Sequence, residues 1–118
     1  MKIALTSCGN SLADQVAKEF EKAPYLLLLD TDNQAQIKAE ISSDSQGLDW
    51  AEKIKAYGCE CVFTGEIEEA AFYVLADEGI TRFKGDGMSG HEAIAKMEGR
   101  KLDYIRDYKG APPGHHHH

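Results

Sequence analysis

The chain has 118 residues, 42% of them apolar, and a formal net charge of −7. That size and apolar share suit one domain around one core. The acidic balance, with no basic run longer than Gly99-Arg100-Lys101, argues against nucleic-acid binding through phosphate neutralisation.

In chain order, residues 2–6 (KIALT) read as a first strand. Residues 11–20 carry Leu12, Val16 and Phe20 at spacing four, with Ser11 and Asp14 as start signals, which predicts a short helix stopped by Pro24. Residues 25–30 (YLLLLD) form a nearly continuous apolar strand, a pattern of burial on both faces. Thr31-Asp32-Asn33 is a turn, and the alternation of Ala35, Ile37, Ala39 and Ile41 with Gln36, Lys38 and Glu40 predicts a half-buried strand hairpin-paired to the one before. After a polar loop, residues 48–57 are helical, with Trp50, Ile54 and Tyr57 on one stripe and Gly58 as the C-terminal stop. Residues 59–64 are a buried strand and residues 67–78 a helix closed by Gly79. Residues 80–84 are the last strand. Ser89-Gly90-His91-Glu92 has the form of a capping box, opening a helix to about Gly99.

Strand–helix alternation in the second half requires right-handed crossovers between parallel strands, and the hairpin makes the sheet mixed. The expected architecture is a three-layer α/β/α sandwich of five strands. Residues 1–103 read as the single domain. Residues 104–114 read as a flexible tail, and His115 to His118 as an expression tag, leaving His91 as the one native histidine. The longest apolar run, residues 25–29, is far below the ~20 residues of a spanning helix. The apolar part of MKIALTS is too short for a signal peptide. Three cysteines in such a chain read as reduced thiols in a cytoplasm.

Ligands of open α/β sheets bind at the carboxyl ends of parallel strands. Three glycine-bearing loops meet that condition: Ser7-Cys8-Gly9-Asn10, Gly65-Glu66, and Gly85-Asp86-Gly87-Met88-Ser89-Gly90. Each leads toward a helix start, whose free N–H groups can hold an anion. The third loop matches G-x-G-x-x-G, but it follows the last strand rather than opening a strand–helix–strand unit, so no nucleotide cofactor is expected. The soft donors are Cys8, Cys59, Cys61, Met88 and His91, which suit copper, zinc or iron–sulfur species. Cys8 reads equally as a ligand or as a small turn residue. Cys59 and Cys61 lie two apart at the far end of their strand. They are expected on one face of it and read as core packing. A disulfide between them is unfavourable, because their Cα atoms would lie ~6.6 Å apart. The acidic run Glu66, Glu68 and Glu69 is explained by the dipole of the helix it opens. No serine or cysteine has an evident base, so no enzyme is expected.

MKIALTS, FEKAPYLLLLDTD, AEKIKAYGCECVFTGEIEEAAF and HEAIAKMEGRKL together resemble the dinitrogenase iron–molybdenum cofactor biosynthesis family, over about residues 1–102. The resemblance implies a ribonuclease H-like sandwich with strand order 3-2-1-4-5 and strand 2 antiparallel. It implies a non-enzymatic protein that binds or carries an iron–molybdenum, molybdenum–copper or iron–sulfur cluster, with a cluster-assembly protein as partner and a monomer or weak dimer as the working form. The expected site takes Cys8, Gly9, Asn10, Gly65, Gly87 and Gly90 around the cluster, with Cys8 and His91 as metal ligands. Two departures stand out. Glu21 and Lys22 replace the family's Gly-Arg before Ala-Pro-Tyr, and Glu66-Ile67-Glu68-Glu69 replaces its Asn-Ile-Gly-Pro after Thr64-Gly65. The alternative is a metal-free interaction or regulatory module on the same fold.

Overall fold

The computed structural model describes residues 1–33, 38–41 and 47–111. Its strands are β1 (Lys2–Ser7), β2 (Tyr25–Asp30), β3 (Lys38–Ile41), β4 (Cys61–Thr64) and β5 (Thr81–Lys84). Its helices are α1 (Gly47–Tyr57), α2 (Glu69–Asp77) and α3 (Gly90–Glu98). The strands form one sheet in the order β3-β2-β1-β4-β5. β2 runs antiparallel to β1 and β3, while β4 runs parallel to β1 and β5, so the sheet is mixed. Of the strand expected over 35–41, residues 35–37 lie outside the described residues.

Alternate residues of the central strands feed two separate cores. Ala4, Leu26, Leu28 and Val62 pack with Trp50 and Ile54 of α1 and with Phe72 and Leu75 of α2. Ile3, Leu5, Leu27, Leu29 and Phe63 pack with Ala93 and Ile94 of α3. This is the period-2 logic of a sheet covered on both faces, and it explains the unbroken apolar run of β2. The Ser89 side chain accepts the Glu92 N–H at 3.1 Å, fixing the start of α3. α2 begins two residues later than its sequence pattern suggests.

Three expectations fail, each through long-range contacts. The helix expected over residues 11–20 does not form. Leu12 and Val16 enter the α3 core while Phe20 enters the α1/α2 core, so the spacing of four does not mark one face. Their backbone instead bonds to strand-end loops: Val16 N–H to Met88 O, Ala17 N–H to Thr6 O and Phe20 N–H to Glu66 O, each at 2.8 Å. Cys59 and Cys61 do not share a face. Cys59 lies before β4 and packs in the α1/α2 core, whereas Cys61 packs in the α3 core.

The segment after α3, expected to be a flexible tail, docks on the sheet edge. Lys84 N–H bonds to Asp103 O and Ile105 N–H to Arg82 O, at 2.8 and 2.7 Å. Tyr104 stacks on Phe83 with ring centroids 5.2 Å apart, and Ile105 and Tyr108 pack on the α1/α2 core. Arg82 anchors the turn-back. Its guanidinium donates to Ile80 O and Ile105 O while lying over the Phe72 ring.

Candidate functional site

The carboxyl ends of β1, β4 and β5 meet at one edge. Beneath them the Thr6 and Thr64 hydroxyls, both buried, share a hydrogen bond of 2.6 Å that ties β1 to β4. The first loop turns on Ser7, whose buried hydroxyl accepts the Gly9 N–H at 3.2 Å. Asp14 closes this loop, with Oδ2 accepting from both the N–H and the hydroxyl of Ser11 at 3.1 Å. A Cβ at Gly9 would overlap the Asp14 carboxylate, so a larger residue has to displace that side chain from the loop. Cys8 and Asn10 are exposed at the tip.

Residues 12–20 then cross the whole edge. Cys8 N–H bonds to Gln15 O, Gln15 bridges to Ser89, and Glu66 N–H bonds to Lys18 O. Gly65 permits the last contact, since a Cβ there would overlap the Lys18 carbonyl. The start of α3 is met by the same segment: Gly90 N–H bonds to Asp14 O at 3.1 Å and His91 N–H to Leu12 O at 3.0 Å. At the start of α2 the Glu21 carboxylate accepts the Glu68 N–H at 2.7 Å. Burial raises the Glu21 pKa despite that bond. These N–H groups were expected to hold an anion. They are occupied by the chain's own carbonyl and carboxylate oxygens.

The expected site residues therefore fall into two sets. Cys8, Gly9 and Asn10 lie on one side of the crossing segment, and Gly90 and His91 on the other, with His91 exposed. Gly87 is exposed in left-handed backbone (φ +86°), while Gly65 is buried beneath Lys18. Among the described residues, no three His, Cys, Asp or Glu side chains gather closely enough to hold a metal ion.

Beside this edge opens a cavity of about 590 Å³ lined by Lys18, Gly65, Lys84, Asp86, Tyr108 and Lys109, among others. Lys109 bonds Glu19 at 2.7 Å and lies 3.7 Å from Glu66. That hydrogen bond is the main cause lowering the Glu19 pKa and raising that of Lys109. Asp86 has a buried oxygen, Oδ1, with no hydrogen-bond partner. The cavity includes Gly65 of the expected site but neither Cys8 nor His91.

Sequence reasoning missed three features of this edge: the Thr6–Thr64 pair, the closing role of Asp14 and the cavity under residues 105–111. The first left a signal, a threonine near the end of each of two apolar strands. Asp14 was visible, but as a helix start.

A family profile described as dinitrogenase iron–molybdenum cofactor matches residues 1–100. The chain belongs to this family. Three solved structures share its fold. An NMR structure of a candidate NifB protein from Thermotoga aligns at TM-score 0.77 and 20% identity, covering 96% of this chain and 98% of that one. The apo form of the orange protein from Desulfovibrio gigas aligns at TM-score 0.76 and 20% identity, covering 88% and 92%. A candidate dinitrogenase from Methanocaldococcus jannaschii aligns at TM-score 0.72 and 16% identity, covering 91% and 96%. At such identities the likeness concerns the fold. No curated protein sequence matches the chain. Family membership supports a role accessory to the nitrogenase cofactor. No described helix is long and apolar enough to cross a membrane.

Proposed function

We propose that this protein is a non-enzymatic carrier that holds a preassembled metallocluster at the carboxyl edge of its sheet and passes it to a cluster-assembly protein. One observation carries the reading: the edge presents an exposed thiol, Cys8, and an exposed imidazole, His91, on either side of a hydrogen-bonded segment. Two exposed donors fall short of the four that a structural zinc ion takes. They suffice as terminal ligands for a cluster that brings its own bridging sulfides. Thiolate and imidazole suit iron–molybdenum, molybdenum–copper and iron–sulfur cargo alike. In this reading Gly9, Asn10, Gly87 and Gly90 supply the backbone beside the cargo. The exposed position suits loading and release by a partner.

The test is anaerobic incubation with iron, sulfide and tetrathiomolybdate, followed by elemental analysis and visible absorption. A stoichiometric load with a charge-transfer band is expected. Cys8→Ser should abolish the band, and His91→Ala should weaken retention, with melting temperature unchanged in both. A band that survives Cys8→Ser would overturn the assignment.

One observation favours a second reading, a metal-free interaction module. The N–H groups at the starts of α2 and α3 are already bonded within the chain, which leaves less of an anion cradle than the glycine loops suggest. A colourless protein with unchanged melting temperature in the same experiment would support this reading.

A further inference from the structure

The cavity of about 590 Å³ beside the carboxyl edge takes no part in the Cys8 and His91 reading, and its walls carry three kinds of chemistry. Residues 105–111 form one wall. Lys109 N–H bonds to Ile67 O at 2.7 Å, the Lys109 ammonium bonds Glu19 at 2.7 Å, and the Tyr108 ring packs against Phe72 and Tyr73, which together hold this wall in place. It presents the half-buried side chains of Ile105, Tyr108 and Ala111. Lys18 and Lys84 also line the cavity. Both are exposed, and among the described residues neither forms an ion pair, in contrast to Lys109. Asp86 lines it as well, and its Oδ1 is shut off from solvent with no hydrogen-bond partner. Two unpaired cations and a carboxylate short of a donor thus share one cavity with an apolar wall. A carboxylate held away from water favours any donor within reach, and a charged donor most.

We propose that this cavity binds a free amino acid with an apolar side chain, at a site distinct from the Cys8 and His91 donors and independent of any cluster they hold. Lys18 and Lys84 take the α-carboxylate. Asp86 turns about its Cβ–Cγ bond and accepts from the α-ammonium. Ile105, Tyr108 and Ala111 cover the side chain. Every other simple ligand leaves one wall unmatched. An inorganic anion such as phosphate meets the two lysines, but Asp86 repels it and the apolar wall gains nothing. A divalent cation meets Asp86, but the lysines oppose it, and among the described residues no three metal-binding side chains gather. A hydroxy acid keeps the carboxylate and the apolar part, yet offers Asp86 only a neutral donor, a weaker partner than an ammonium. The two lysines are exposed, so solvent and salt screen their share of the binding.

The experiment is a proton–nitrogen NMR titration of the full chain with L-phenylalanine at low ionic strength, followed at the amides of Gly65, Gly85 and Lys109. Saturable shifts with a Kd of about 1 mM or tighter are expected. Lys18→Gln and Lys84→Gln should each weaken binding by about 3-fold, and the double variant by about 10-fold. Asp86→Asn should weaken phenylalanine by about 10-fold and leave phenyllactate, with a hydroxyl in place of the ammonium, unchanged. A merely structural role for Asp86 would weaken both. Lys96→Gln, on α3, should change nothing. The absence of saturable shifts, phosphate binding as tight as that of phenylalanine, or an Asp86→Asn variant that weakens both organic ligands alike overturns the site. If Asp86→Asn does not fold, the wild type decides. Phenylalanine binding tighter than both phenyllactate and phenethylamine supports the site, and equal or weaker binding overturns it.

Discussion

The two ends of the sheet are held by different forces. At the carboxyl end, backbone does the work: residues 12–20 bond main chain to main chain across the loops of β1, β4 and β5. At the amino end, side-chain burial does it, with Cys59, Cys61 and Ile80 packed into the two cores. The first arrangement leaves side chains such as Cys8 and Asn10 exposed, because main-chain bonds carry most of its shape. The second fixes the chemistry of its side chains, because burial sets their ionisation.

The largest expected effect tests the backbone end. Gly65→Ala drives a Cβ into the Lys18 carbonyl, which cannot rotate away as a side chain would. The expected loss is about 3 kcal/mol or more, read as a shift in the urea midpoint with little change in slope. A tolerated alanine would show that the crossing segment is not pinned there.

The next effect tests the buried end through pH. In the unfolded chain both thiols ionise near 8.5, whereas in the fold they are held up to about 12 by burial. The unfolded chain therefore releases its thiol protons first. Their contribution to stability is complete below about pH 8.5 and is lost as pH rises toward 12. The melting temperature should fall between pH 8 and pH 10, and Cys59→Ala with Cys61→Ala should flatten that slope. An unchanged slope would show that the thiols are not buried as described.

The smallest effect sharpens the comparison at a single bond. Ser89→Ala removes the acceptor for the Glu92 N–H at the start of α3, while Leu12 and Asp14 still hold the neighbouring N–H groups. A loss of about 1 kcal/mol in denaturant unfolding is expected. A much larger loss would mean that the crossing segment depends on this cap.

How much was legible in the sequence follows the same division. Local signals were sufficient for β2, whose unbroken apolar run meant two covered faces, for α1 closed by Gly58, and for α3 opened by Ser89. Family resemblance and the three glycine loops located the carboxyl edge. Only the tertiary structure decided what fills that edge. The spacing of Leu12, Val16 and Phe20 imitates a helix, yet Leu12 and Val16 pack in one core and Phe20 in the other. Asp14 and Gly65 were visible as residue types, but their roles come from neighbours that only folding brings near. The separation of Cys59 from Cys61, and the docking of residues 103–109 on β5 and α2, were decided in the same way. Periodicity reports which face of an element avoids water. It carries no information about which distant carbonyl will accept a given N–H, and in this protein those distant bonds shape the site.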